Sequence, residues 1–346
     1  MRRTTTLTLA AAALVATIAA GLVVSSRAPS TSVAQGTRLF PMLQASAGSV
    51  ASIDITNHAG QFTLARQDGK WLLPTKGGFP VKAEQVRGLL SGIASLETVE
   101  AKTRQPELFR RLDLDDVTAD GAKSVEVTLK DDKGAVLAQL LVGKLQTSHG
   151  QHSAEPGSDA AQMLYVRKPG DTQTWLASGS VTVPATAIEW LDRHIPDVKE
   201  GDVTQAVIHG NDGKSFQITR EKPEDTSFKL SPIPSGMAIK SEYEVNSLAS
   251  LLDGIDFDDV APAPASPPAA KASIDYRLTK GGEITTSLLP IDKDIWVSFQ
   301  ASGAGADGFA APVKGWIYRL PAAKLAKMQT MIDQLVQPIP PKKSGS

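Results

Sequence analysis

His149 and His152 lie three residues apart in "QTSHGQHSAEPGSD", with Glu155 and Asp159 just beyond, so four side chains in one short stretch could offer nitrogen and oxygen ligands to zinc. The spacing matches no zinc signature, and a loop this rich in Ser, Gly and His reads more simply as a solvated connection. The other three of the five histidines are His58, His194 and His209, of which His58 and His209 fall near turns. Carboxylates gather twice, in "DLDD" (Asp113 to Asp116) and in "DGIDFDD" (Asp253 to Asp259). Either could serve acid–base chemistry or calcium, but neither has the glycine and closing glutamate of an EF-hand loop. Solvated loop ends are the ordinary place for such pairs.

Other chemistry lacks a carrier. There is no G-x-S-x-G elbow, Walker loop or G-x-G-x-x-G, and with no cysteine there is no thiolate nucleophile, thiolate metal site or disulfide. The five tryptophans, at 71, 175, 190, 296 and 316, could line a groove for a sugar or peptide, although Trp71 and Trp316 sit in strand patterns where core packing explains them. These residues therefore assign no catalytic, cofactor or metal site. The expectation is a protein that is not an enzyme.

The elements that would hold these residues follow from the rest of the chain. Its 346 residues are enough for two domains, and 41% hydrophobic with 21% charged residues is a globular composition. Thirty-six basic against 37 acidic residues, with no long block of either sign, argues against nucleic acid as a partner. After Arg2 and Arg3, the uncharged run Leu7 to Val24 is long enough to cross a bilayer as a helix. The preceding arginines would leave the N-terminus in the cytoplasm and export the remainder. Two readings of this run remain, an uncleaved anchor and a cleaved signal peptide, and its length favours the anchor. Residues 26–48, rich in Ser, Thr, Ala and Gln, read as a spacer.

Beyond the spacer the chain repeats itself. "VKAEQVRGLLSGIASLETVEA" (from Val81) returns as "IKSEYEVNSLASLLDGIDFDDVA" (from Ile239). Val50 and Val203 lie 153 positions apart, as do Gly60 and Gly213, while Phe62, Leu64 and Arg66 match Phe216, Ile218 and Arg220 at a shift of 154. Apolar residues at period two around Gly-bearing turns predict antiparallel hairpins. The stripes Val86, Leu89, Leu90, Ile93, Leu96 and Val245, Leu248, Leu252, Ile255 each predict an amphipathic helix on a sheet. Ser241 with Glu244 predicts a capping box for the second helix, and Gly88 and Gly92 point to close backbone contact on the first. "SVEVTLKDDKGAVLAQLLVG" and "SIDYRLTKGGEITTSLLPI" supply matching later strands.

The predicted fold class is therefore α+β, two tandem β-β-β-α-β-β-β repeats after an N-terminal transmembrane helix. The predicted segments are an anchor (1–25), spacer (26–48), first repeat (49–193), junction (194–199), second repeat (200–337, with a Pro/Ala connector at 261–272) and tail (338–346).

The order "DGKWLL", "FPVKAEQVRGLLSGIASLE", "RLDLDD", a hairpin, "YVR" and "WLDR" (Trp190 to Arg193) resembles the bacterial family known as domain of unknown function 4340. That resemblance covers most of the chain outside the anchor. It implies a membrane-anchored envelope protein, often encoded beside ABC-type transporter components of gliding-motility and auxiliary export systems. It attaches no catalytic residues. Three functions are consistent with this reading: an accessory or scaffold subunit whose partners are transporter permease and ATPase components, a periplasmic module binding an envelope glycan or peptide, and, least favoured, a hydrolase. The small-molecule ligand is open.

Overall fold

A computed structural model describes residues 36–146, 162–222 and 224–339. The run Leu7 to Val24 and the stretch holding His149, His152, Glu155 and Asp159 lie outside the described residues. Among the described residues, no helix is long and apolar enough to cross a membrane.

In chain order the first strands are β1 (Thr37–Arg38), β2 (Ser52–Asn57), β3 (Gly60–Gln67), β4 (Lys70–Leu73), β5 (Phe79–Pro80), β6 (Glu97–Ala101), β7 (Val125–Lys130), β8 (Val136–Leu145), β9 (Met163–Arg167), β10 (Thr174–Ser178) and β11 (His194–Ile195). They are followed by β12 (Val203–His209), β13 (Ser215–Thr219), β14 (Lys229–Ser231), β15 (Met237–Ile239), β16 (Ile255–Asp256), β17 (Asp259–Pro262), β18 (Ala272–Leu278), β19 (Glu283–Ile291), β20 (Asp294–Ser302), β21 (Trp316–Arg319) and β22 (Val336–Pro338). The helices are α1 (Leu43–Ser46), α2 (Ala83–Ser95), α3 (Glu242–Asn246), α4 (Asp307–Val313), α5 (Ala322–Met328) and α6 (Ile332–Leu335). The strands pair antiparallel, so the protein is built mostly of antiparallel sheets with a few helices.

Contacts divide the chain into two compact units. The first takes the described residues of Met1–Gly48, Leu89–Val127 and Leu137–Thr182, with strands in the order β1-β6-β10-β9-β8. Phe109, Leu114 and Leu141 form a buried cluster there, and Leu112, Val117 and Tyr165 pack against it. The second takes the described residues of Ser49–Gly88, Thr128–Val136 and Val183–Ser346. It holds the run β2-β3-β4-β5, an eight-stranded sheet in the order β14-β13-β12-β18-β19-β20-β21-β17, and the small pairs β11-β16 and β15-β22.

Period-two alternation produces the hairpins as expected. In β2, Ile53 and Ile55 are buried while their neighbours are partly exposed, and they face Leu64 and Phe62 across the ladder. In β12, Ala206 and Ile208 face Ile218 and Phe216 in the same way. The β2-β3 turn is locked by Asn57, whose Oδ1 accepts from the Ala59 amide at 2.8 Å and whose Nδ2 donates to the Ala185 carbonyl at 2.7 Å. Both ends of a buried amide are thereby satisfied.

Two expectations need correction. The second amphipathic phrase is helical only over Glu242–Asn246 and then runs through turns bonded three residues back, Leu248 to Val245 and Ala249 to Asn246. Its polar side chains explain the break. Asn246 is drawn away to the Phe228 amide and the Thr226 carbonyl, and Ser247 and Ser250 donate back to the Glu244 and Ser247 carbonyls. Such local bonds compete with the helical ladder. The Ser241 hydroxyl caps the Glu244 amide at 3.4 Å. Val245, Leu248, Leu252 and Ile255 are buried nonetheless. The second correction concerns the spacer: within it, β1 pairs with β6, and Leu39 and Leu43 are buried.

The two glycines of α2 separate cleanly. A Cβ on Gly92 would collide with the Ser180 carbonyl oxygen, whereas Gly88 has open space around it. Gly92→Ala should therefore destabilise the protein by about 1–3 kcal/mol through overpacking, while Gly88→Ala should stabilise it by about 1 kcal/mol through helix propensity. Urea unfolding of both variants checks the opposite signs.

Candidate functional site

The second unit contains an aromatic seam. Phe79, in the last strand of the run β2-β3-β4-β5, packs edge-on against Trp316 (centroids 4.9 Å apart) and Phe257 (5.5 Å). Phe257 leans on Tyr318 at 5.2 Å, and Tyr318 on Phe299 at 5.8 Å. A polar clasp holds the turn before Phe79 in place. Lys76 Nζ lies 2.6 Å from Asp259 Oδ1, and the second Asp259 oxygen is 3.9 Å from Arg319. Gly77, at φ 66°, sits so close to the Pro262 ring that a Cβ would overlap it. The left-handed backbone and the close approach both require glycine there.

Above the seam opens a cavity of about 470 Å³, with Phe79, Val81, Phe257, Trp316 and Tyr318 as its apolar wall and Lys82, Glu84, Asp192 and His194 as polar lining. Burial pushes the Tyr318 phenol well above its ordinary value, and its hydroxyl donates to the Pro312 carbonyl at 3.5 Å. It stays neutral and serves as a packing surface. This volume and lining suit apolar contact with a few orienting polar groups.

The carboxylate clusters singled out in the sequence do not converge. In "DLDD", Asp113 closes a 3-10 helix in the left-handed region, Leu114 is core, Asp115 pairs with Arg110, and Asp116 Oδ1 lies 2.5 Å from Arg167. Arg167 is a buried cation that also donates to the Leu114 and Asp171 carbonyls and stacks over Phe109. In "DGIDFDD", Asp253 pairs with Lys199, Asp256 with His194, Asp258 with Arg193 and Asp259 with Lys76. These acids are tied one by one to separate partners. Among the described residues, no group of three His, Asp or Glu side chains is placed to hold a metal ion.

Of the tryptophans, Trp190 is fully buried and donates to the Pro184 carbonyl, Trp71, Trp175 and Trp296 are partly exposed along strands, and Trp316 alone of the five lines the cavity. His58 is exposed at its turn. His194 stands between Asp256 (3.2 Å) and Asp197 (3.3 Å).

One arrangement escaped the sequence reading. His209 Nδ1 is 2.8 Å from the Ser215 hydroxyl and its Nε2 is 3.1 Å from Asp275, which also accepts from Thr285 at 2.6 Å. The connectivity is that of a nucleophile, base and orienter. Its setting is not, since His209 and Asp275 are both nearly half exposed on the sheet and the aromatic cavity is lined by other residues. A cross-strand polar ladder accounts for it.

These features define an α+β protein of antiparallel sheets with an aromatic cavity in its second unit. Residues 71–280, more than half of the chain, match the family model described as Domain of unknown function (DUF4340), and the chain belongs to that family. No curated protein and no solved structure matches it.

Phe79→Ala should cost about 3–5 kcal/mol, as loss of a buried aromatic does. Trp316→Ala, at a partly exposed cavity wall, should cost clearly less and leave the fold intact. Chemical denaturation ranks the two.

Proposed function

We propose that the chain is a non-enzymatic accessory or scaffold subunit of a bacterial envelope complex of the ABC-transporter-associated kind. It is held in the inner membrane by Leu7 to Val24, with two copies of one α+β module on the periplasmic side. Family membership joined to that uncharged run after Arg2 and Arg3 is the observation that carries the reading.

The duplication is supported by pairings that recur in register. Ile55↔Phe62 corresponds to Ile208↔Phe216. The bridge Val81↔Leu191, with the Lys82 amide donating to the Trp190 carbonyl, corresponds to Ile239↔Val336, with the Lys240 amide donating to the Leu335 carbonyl. Arg38↔Glu97 likewise corresponds to His194↔Asp256. On this reading each module starts one short strand earlier than the hydrophobic pattern alone indicates. The aromatic cavity supports a second reading, a module that binds an envelope glycan or peptide at Trp316.

Two measurements test the proposal. The chain should stay with membranes through a high-salt wash, because salt screens charge and leaves apolar burial intact. Release of a shortened soluble chain would support the cleaved signal instead. Purification of the full chain from detergent-solubilised membranes should recover permease and ATPase subunits in comparable amounts; recovery of the chain alone would count against the scaffold role.

A further inference from the structure

A second cavity of about 470 Å³ lies between the turns that follow α3 and helix α5. Leu251, Ile255, Pro321 and Ala323 give it an apolar part, and Asp253, Asp256, Lys324 and Lys327 supply its charge. Lys324 and Lys327, three positions apart, are neighbours on one face of α5. The Lys324 ammonium donates to the Asp253 carbonyl oxygen at 2.8 Å. The carboxylates in the wall are already engaged, Asp253 by Lys199 at 2.5 Å and Asp256 by His194 at 3.2 Å. Among the described residues neither Lys324 nor Lys327 takes part in an ion pair.

We propose that this cavity binds a small organic anion, carboxylate or phosphate, with Lys324 and Lys327 as its counter-charges. Two like charges facing one concavity repel each other, and an entering anion removes that cost while accepting charge-assisted hydrogen bonds from both. The state of Lys324 agrees. Burial, and next the nearby charge of Lys327, hold its ammonium below the ordinary lysine value despite the opposing pull of Asp253 and Asp197. A metal cation would meet two ammonium groups. The volume is within the range of about 300–1,000 Å³ usual for small-molecule sites.

The test is calorimetric titration of the full chain in detergent with inorganic phosphate, citrate and glucose as probes, ionic strength being held constant with sodium chloride. Phosphate or citrate should saturate one site, and whichever binds identifies the anionic group; glucose should not compete with it. Hydrogen bonds to charged groups are worth about 1.5–3 kcal/mol, so Lys327→Gln and Lys324→Gln should each weaken binding by about tenfold or more. Lys271→Gln, on the Pro/Ala connector, should leave it unchanged. Lys327 is exposed, so its substitution keeps the test valid if Lys324→Gln fails to fold. Absence of saturation with both anions, competition of glucose with the bound anion, or affinity unchanged in both lysine variants would overturn the proposal.

Discussion

Burial of Phe79 against Phe257 and Trp316, with Tyr318 behind Phe257, is the constraint on which the second unit depends. The run β2-β3-β4-β5 has an apolar face that needs a partner to cover it. Phe79 provides that cover by inserting the end of the run into the aromatic seam, and residues 49–88 accordingly belong to the same compact unit as residues 183–346. The Lys76–Asp259 pair and the Gly77–Pro262 contact fix the angle of entry. A partly buried ion pair adds modest stability, whereas the seam removes several aromatic rings from water, so packing supplies the energy and the pair supplies the alignment.

The polar residues follow from the same frame. Once Asp259 is committed to Lys76, the other acids of that stretch are distributed to His194, Arg193 and Lys199, so a run that looks like a ligand cluster becomes a set of separate ties. Asp197 shows this on a small scale. Its carboxyl is held below the usual range first by the Gly254 amide and then by Lys199, which joins the junction to the turn at Gly254. Lys324 and Lys327 are left facing a cavity without such a partner.

Much of this was legible in the chain. Ile53, Ile55, Phe62 and Leu64 set their ladder through alternation alone, since a one-residue slip would turn every apolar side chain to solvent. Gly92 announced a close backbone approach, but Gly88, identical in type and spacing, did not mark one. The helix after Ser241 was overestimated because Val245, Leu248 and Leu252 are buried by consecutive three-residue turns as well as they would be by an α-helix. The seam and the Ser215–His209–Asp275 ladder were invisible. Both join residues from different strands, and no local pattern records which distant strand lies opposite. Strand β1 escaped because it is two exposed residues, Thr37 and Arg38, too short to carry a period-two pattern.

If Phe79 truly joins residues 49–88 to the later strands, the two segments open together. Native-state hydrogen exchange measures this directly, since amides of one cooperative unit share a single opening free energy. In the full chain, the ladder amides of β2-β3 and of β12-β18-β19 should exchange through one common opening, and Phe79→Ala should lower the protection of both sets by the same amount. Loss of protection confined to β2-β3, with β12-β18-β19 unchanged, would contradict the account.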